Sequence, residues 1–596
     1  MITIKNIFKS SVAPFCALCL LSMLSVSCSD FFDPSTDDEL NGEDYISSST
    51  EMYTGFLGIM TKLQAIGDKE ILLTETRGEL IEPTDNSSTE LRQLYNYEPS
   101  LQGNSYANPD GYYEVVIACN DYLSKMGEFR SNPAVTDEVY RQLTASTVRI
   151  KVWAYKTLAE IYGRAVWFDD PITKVTEIVN GPTFQLMELP ELIDKCLNTI
   201  ETASDGGAAN ANIDWIAWLD PTNVGDRAAN SEYRKWNYMI PPYEGLHAEL
   251  CLWKGALLDA ANQDATAYYK SAADELLVAL NTQIDRTSDP SSSVYWLPSG
   301  ATPGHYVSVW ENKQPYPYES VAALIYEYSK NQTNTLLKHF SNEYPNKYLL
   351  RPSEVGMNRF TDATFSPGNM GTNDTRYKVC FGQSSGSYYF AKFRRVNDKA
   401  RVNAYEDDCH VYLYRATQYH MMLSEALNHL RRFQAFNGVF NSGVLAADFI
   451  PHYNADGVEQ AGWEEWEGFA SKYDPSKCDW TASASFGTRR YRSEGIRCCI
   501  PGLSPRPVKG TDDLAVSTAA AVIRFNDEAI LDESMLEFAG EGKVYPMMNR
   551  MAVRYNDLSI VADRVCPKYE AVGRDAEIRS KILSGGNWVP YDLGIK

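Results

Sequence analysis

No run of lysine or arginine in this sequence is long enough to track a phosphate backbone, and acidic residues outnumber basic ones by 78 to 55, a formal net charge of −23. A chain of that sign repels nucleic acid, which is excluded as a partner. Histidine is scarce as well. His247, His305, His339, His410, His420, His429 and His452 show no metal-ligand spacing, so neither a metal nor a cofactor is expected. Past Cys28 the cysteines are Cys119, Cys196, Cys251, Cys380, Cys409, Cys478, Cys498, Cys499 and Cys566. An odd set without short paired spacings is no disulfide framework, and Cys498 and Cys499 lack the two further ligands of a zinc site. Most of these cysteines read as small buried hydrophobes.

What is present begins with an export leader. Lys5 and Lys9 give a positive start, and Phe15 to Leu24 form an apolar stretch too short to span a bilayer. It ends in Leu24-Ser25-Val26-Ser27-Cys28. Small residues before a cysteine suit cleavage after lipidation of its sulfur, leaving Cys28 as the anchored N-terminus. Ser25 stands where an aliphatic residue is usual, and the alternative is an ordinary secretory signal. We therefore divide the chain into a lipoprotein signal peptide (1–27), a lipidated, acidic and Ser-rich tether (28–50), and one large domain (51–596) with a helical first half (51–284) and a loop-rich second half (285–596).

Helical spacing dominates the domain. Val148, Val152, Tyr155, Ala159 and Tyr162 form one apolar stripe; Leu192, Cys196 and Ile200 form a second, with Pro190 near its first turn. Leu246, Leu250, Trp253 and Leu257, a break at Asn262-Gln263-Asp264, and then Tyr268, Ala272, Leu276 and Ala279 predict a helix hairpin of tetratricopeptide size. Such hairpins bury their faces only by stacking. Tyr412, Ala416, Tyr419, Leu423, Ala426 and Leu430 predict a later helix, and Leu531, Met535 and Phe538 a last one closed by Gly540 and Gly542. The fold class is mainly α, with tetratricopeptide-like helix hairpins, long irregular ligand-binding loops and a few short strands.

Aromatics make up 12% of the chain, with 38 Tyr and 12 Trp, more than a core alone needs. Tyr295, Trp296, Tyr306, Trp310, Tyr316 and Tyr318 crowd one Pro-bearing stretch with Glu311, Asn312 and Gln314. Sugars present C–H faces to flat rings while amides and carboxylates take the hydroxyls, so this composition suits a carbohydrate platform, with Trp296 and Trp310 as the leading stacking residues. A second patch comprises Asn86, Tyr95, Tyr97, Asn104 and Tyr106. The competing reading is that these rings pin long loops to the body.

Catalytic motifs are weaker. Gly382-Gln383-Ser384-Ser385-Gly386 matches a hydrolase elbow, but Tyr377–Phe381 and Tyr388–Phe393 read as strands on both sides, which makes it a hairpin. Gly540-Glu541-Gly542-Lys543 lacks the first glycine of a phosphate loop. Glu464, Glu465 and Glu467 beside Trp463 and Trp466 are the best glycosidase candidates, and read better as a solvated acidic loop.

Several segments together resemble the SusD/RagB family. These are Tyr112 to Asn120; Thr147 to Trp167 with Ala154-Tyr155, Tyr162-Gly163 and Pro171; Tyr388 to Phe393 with Lys392; Tyr412 to Asn428 with Arg415 and Ser424-Glu425-Ala426; and Asp532 to Arg550 with Glu533, Glu537-Phe538, Glu541-Gly542-Lys543 and Arg550. The departures are Trp153 and Ser534 where Arg is usual, Ser424 where Ala is, and Met547 where Asp is. The resemblance implies a SusD-like scaffold and a non-catalytic, lipid-anchored protein at the outer-membrane surface. It further implies capture of oligosaccharide or polysaccharide for a SusC-like TonB-dependent transporter. A peptide-binding member of the family is the alternative, and a secreted glycosidase the third reading. Replacing Cys28 with Ala is expected to leave a folded but released protein, because attached acyl chains hold a membrane more tightly than any surface patch here. Cell fractionation checks this, and membrane retention of the variant refutes the anchor.

Overall fold

The computed structural model describes residues 49–131, 133, 135–171, 184–203, 211–213, 215, 235–236, 238–281, 304–313, 315, 319–368, 374–400, 403–442 and 495–591. The leader, Cys28 and most of the tether lie outside them.

Long helices come first: α1 (Ser49–Ala65), α2 (Gly67–Arg77), then strand β1 (Ile81–Pro83), α3 (Asp110–Glu128) and α4 (Asp137–Tyr162). The expected stripe of α4 is buried at Val152, Tyr155, Ala159 and Tyr162. The helix ends at Gly163, whose positive φ of 70° accepts the left-handed cap that a Cβ would strain. Strands β2 (Arg164–Trp167) and β3 (Gln185–Glu188) pair antiparallel ahead of α5 (Leu189–Thr202), with Pro190 in its first turn. The expected hairpin is α6 (Tyr243–Ala260) and α7 (Thr266–Asn281), turning through Asn262 at φ 56°. The helices pack in series, α1 on α3, α3 on α4, α4 on α5, α5 on α6 and α6 on α7. Each covers the stripe its neighbour leaves open, which makes the stack a solenoid.

The second half continues with α8 (Gly304–Glu311), β4 (Ser320–Leu324), β5 (Leu350–Pro352), the hairpin β6 (Phe381–Ser384) and β7 (Ser387–Phe390), β8 (Val411–Arg415), α9 (Ala416–His429), α10 (Ala519–Glu537) and α11 (Val544–Tyr555). Helix α9 extends the solenoid against α7, and α10 and α11 follow on it.

Three expectations from periodicity are corrected. Tyr412 lies in a strand, not in the helix its spacing predicts: β8 pairs with β4, and Ala416 opens α9 by donating its N–H to the Glu319 carbonyl at 2.8 Å. The segment from Tyr377 is a helical turn (Thr375–Cys380) capped by Asp374, and the strand after Tyr388 stops at Phe390. The helix through Leu531 starts at Ala519 and is followed by α11 and shorter helices. Among the described cysteines, Cys119, Cys196, Cys251, Cys380, Cys409 and Cys566 are buried free thiols.

Charge fills much of the interior. Glu533 and Glu537, one turn apart on α10, and Glu541 beyond its end face Arg376, Arg415, Lys392, Arg497 and Arg506. Glu319 pairs with Arg415, and Asp374 with Arg376 at 2.9 Å. Five cations therefore meet five carboxylates out of solvent. Glu541 receives Arg415 Nε and Nη2 as a fork at 2.8 and 2.9 Å, and Lys392 donates to it at 2.6 Å and to the Ala539 carbonyl at 2.8 Å. A second knot holds Glu425 to Arg550 and Arg554, and Asp527 to Arg554, His429 and Tyr555. A third holds Lys156 between Glu160 and Glu249.

Burial opposes ionisation of Glu533, but Arg497, Arg376 and Arg506 outweigh it and hold its pKa below the ordinary value of 4.5. A depressed carboxylate contributes stability that is present above the unfolded value and is lost as pH falls through the folded one. Glu533→Gln is expected to lose about 3 to 5 kcal/mol at neutral pH by leaving guanidinium groups uncompensated. The gap to the unmodified protein should narrow below about pH 4.5. Chemical denaturation at neutral and acid pH reads both, and a gap that stays constant with pH refutes the assignment.

Candidate functional site

The expected aromatic platform falls into two parts. Trp296, Tyr295, Tyr316 and Tyr318, with Gln314, lie outside the described residues, as do Glu464, Glu465 and Glu467. Trp310 and Tyr306 are described, and their expected role as ligand-facing rings is corrected: one turn apart on α8, they face the interior. Trp310 is 2% exposed, edge-on to Tyr412 at 5.1 Å, with the Lys392 ammonium 4.3 Å above its ring. Tyr306 is buried and donates its hydroxyl to the Glu537 carbonyl at 3.2 Å. Both wall the buried charges, where an aromatic face offers cations a favourable quadrupole. Asn312 is exposed and turned back on its own helix, donating to the Ser308 carbonyl at 2.6 Å.

The second patch divides as well. Tyr97 is buried at φ 52°, its hydroxyl donating to the Arg77 carbonyl at 2.6 Å and its ring 4.0 Å beneath the Arg77 guanidinium. Tyr95 is half-buried on Tyr569, with ring centres 4.6 Å apart, and beside Lys568. Both rings pack against the body. Asn104 is buried and donates to the Glu90 carbonyl at 2.9 Å, which shapes the loop leading to Tyr106. Asn86 is exposed.

Around Asn86 the structure assembles a face. Strand β1 pairs with β5 in the register Glu82↔Arg351 and Pro83↔Leu350, and the pairing runs on as Thr84 N–H donates to the Leu349 carbonyl at 2.9 Å. Asn86 Nδ2 donates to the Lys347 carbonyl at 3.1 Å, fixing the loop 341–349 alongside 84–88. Behind them the Tyr106 hydroxyl meets His339 Nε2 at 2.9 Å. His339 Nδ1 faces the Thr335 carbonyl at 2.7 Å and so carries the proton, and burial lowers the ring's pKa, which leaves Nε2 to accept from Tyr106.

The same loop reaches the β6–β7 hairpin. Tyr348 donates its hydroxyl to the Tyr388 carbonyl. Glu343 pairs with Arg394 at 3.4 Å, and the Arg394 guanidinium sits 4.9 Å over the Tyr389 ring. Gly382 stands opposite Tyr389, and a Cβ there would meet the tyrosine ring at 2.3 Å, so glycine lets the ring lie across the hairpin. The turn is Ser385-Gly386, with φ 51° and 81°, the left-handed pair that tight hairpins use. As expected, the G-x-S-x-G match is therefore a hairpin, with no helix after Ser384 to form a nucleophile elbow.

Presented outward on this face are Tyr344, 91% exposed, and Tyr388, 40% exposed, with Tyr348 and Tyr389 half-buried beside them. Asn86, Glu343 and Gln383 supply polar groups at their edges. The arrangement can bind rings through C–H faces and hydroxyls through amide and carboxylate. Among the described residues no group of three or more His, Cys, Asp or Glu could hold a metal. Sequence reading groups Asn86 with Tyr95, Tyr97, Asn104 and Tyr106 and names none of Tyr344, Tyr348, Tyr388 and Tyr389 as a ligand contact. The signal was the Asn342-Glu343-Tyr344-Pro345-Asn346-Lys347-Tyr348 run, which mixes amides and aromatics as the favoured loop does.

Solved structures match the fold along most of its length. A SusD superfamily protein from Bacteroides vulgatus aligns with TM-score 0.55 at 10% identity, covering 91% of this chain and 95% of its own. The fold is SusD-like. A laminarin-binding SusD-like protein aligns with TM-score 0.52 at 13% identity over 91% of this chain and 98% of that one. Surface glycan-binding protein A from Bacteroides thetaiotaomicron, in complex with laminarihexaose, aligns with TM-score 0.50 at 12% identity over 86% and 92%. No family model and no curated protein matches the chain. Trp310 is enclosed in the body of the protein, so Trp310→Ala is expected to destabilise folding by about 3 to 5 kcal/mol, the cost of emptying a buried aromatic site. A melting temperature equal to that of the unmodified protein returns Trp310 to the surface.

Proposed function

We propose that this chain is a cell-surface glycan-binding protein, without catalytic activity, that captures oligosaccharide on the face formed by Tyr344, Tyr348, Tyr388, Tyr389 and Asn86. The observation that carries the reading is the exposure of Tyr344 on its loop and Tyr388 on the β6–β7 hairpin, the two held together by hydrogen bonds and an ion pair. Exposed apolar rings at loop tips contribute nothing to the core, and a rigid backing lowers the entropy lost on binding. The SusD-like fold and the glycan-binding proteins that share it support the same reading. In this proposal Cys28 carries the lipid anchor at the outer membrane, and a SusC-like TonB-dependent transporter receives the captured glycan. Trp296, Tyr295, Tyr316 and Tyr318 remain proposed contributors to the ligand face.

The test is a panel of glycans and a peptide pool against the purified protein, with Tyr344→Ala and Tyr388→Ala as variants. Losing one stacking ring in a shallow site should weaken glycan binding by about 1 to 2 kcal/mol, roughly tenfold, without lowering the melting temperature. Retention of peptides and not glycans reverses the reading. Unchanged glycan affinity in both variants moves the site elsewhere.

A further inference from the structure

In a chain of net charge −23, a lysine without a carboxylate partner stands out. Of the exposed lysines described, Lys62 pairs with Glu114, Lys270 with Asp274, Lys313 with Asp408, Lys330 with Glu327 and Lys399 with Glu311. Lys338, Lys347 and Lys378 have no carboxylate oxygen within 4 Å among the described residues. Lys347 sits on the loop of the tyrosine face, Lys338 on the short helix (Leu336–Phe340) that leads into that loop, and Lys378 on the helical turn (Thr375–Cys380) that leads into the hairpin. Lys347 lies between Asn346 and Tyr348, and its N–H donates to the Lys338 carbonyl at 3.0 Å. Lys378 follows Tyr377, whose ring lies 5.0 Å from Phe381 at the base of the hairpin that carries Tyr388.

Two acids of the face are paired with arginines. Glu82 takes Arg351 at 2.8 Å and Glu343 takes Arg394 at 3.4 Å. Asp85 and Glu90 lie on the neighbouring segment, and neither is within 4 Å of any of the three lysines. Acidic side chains are in surplus over the whole chain, yet none among the described residues pairs with these three lysines. A set of cations left open beside exposed rings complements a ligand that brings its own negative charge.

We infer that the ligand of this face is an acidic glycan, one bearing carboxylate or sulfate groups. The rings take the sugar faces, and the lysines take the anionic substituents as mobile, hydrated point charges. This rests on the proposed glycan-binding role and adds the ligand's charge to it.

The test uses two matched pairs on the purified protein: an oligogalacturonate and its methyl ester, and a sulfated galactan oligosaccharide and its desulfated form. At least one acidic member should bind more tightly than its neutral partner, and the pair that does so identifies carboxylate or sulfate as the group recognised. Its affinity should fall as salt rises from about 10 mM to about 150 mM, which shortens the screening length from about 30 to about 8 Å. The triple variant Lys338→Gln, Lys347→Gln, Lys378→Gln should weaken the acidic ligand about tenfold or more. It should leave the melting temperature unchanged, since none of the three makes an ion pair among the described residues. Binding of neutral members as tight as that of the acidic ones, or a triple variant that binds the acidic ligand unchanged, overturns the inference and leaves the glycan-binding role standing. Retention of none of the four, nor of any neutral glycan, overturns both.

Discussion

Five buried cations and five buried carboxylates must neutralise one another inside this protein, and most of the second half is arranged so that they do. Water cannot reach Arg376, Arg415, Lys392, Arg497 or Arg506 to pay for their charge, so each needs an acid at hydrogen-bond distance. The acids come from Glu319 ahead of β4, Asp374 ahead of a helical turn, and α10 with the turn beyond it. No local segment contains a balanced set. The ionic knot therefore forms only when β4, β8, the β6–β7 hairpin and α10 are all in place. Such pairs add little net energy against an apolar core, but a missing partner costs several kcal/mol, and that asymmetry penalises every alternative packing.

The surface face is built on the same knot. Lys392 lies two residues after β7, so the base of the hairpin is fixed by an ammonium bound to Glu541 and the Ala539 carbonyl. Phe390 at that base packs on Gly540, where a Cβ would stand 2.3 Å from the ring. Tyr388 and Tyr389 at the outer end are thereby carried on a short, stiff lever. Arg394, two residues beyond Lys392, stacks on Tyr389 and reaches Glu343. A chain of contacts thus runs from α10 to the exposed rings through alternately buried and exposed charges. Trp310 and Tyr306 belong to the buried end of this chain of contacts and the tyrosines to the exposed end, a division that aromatic content alone does not reveal.

Much of the body was legible in the sequence. The stripes of α4 through α7 and of α9 repeat at helical spacing because each helix buries one face against a neighbour, a constraint written residue by residue. Glu533, Glu537, Glu541, Arg415, Lys392, Glu425 and Arg550 stood out as a pattern resembling a family, without any indication that they touch. Their meeting depends on separations such as the 126 residues between Arg415 and Glu541, and periodicity carries no information over that range. The strand at Tyr412 was missed for a related reason: an apolar residue at helical spacing is equally suited to a strand when β4 is present to pair with it.

The sequence by itself determined the helical class, the stacking of hairpins, and the residues that would become the scaffold's charged centre, because these follow from composition and local spacing. Tertiary structure alone decided which aromatics are available. Burial of a ring depends on what folds over it, so Trp310, in a stretch read as open loop, is enclosed by Phe393 and Tyr412 from distant segments. Tyr344 and Tyr388, on unremarkable segments of sequence, stand in solvent because nothing else in the described chain covers them.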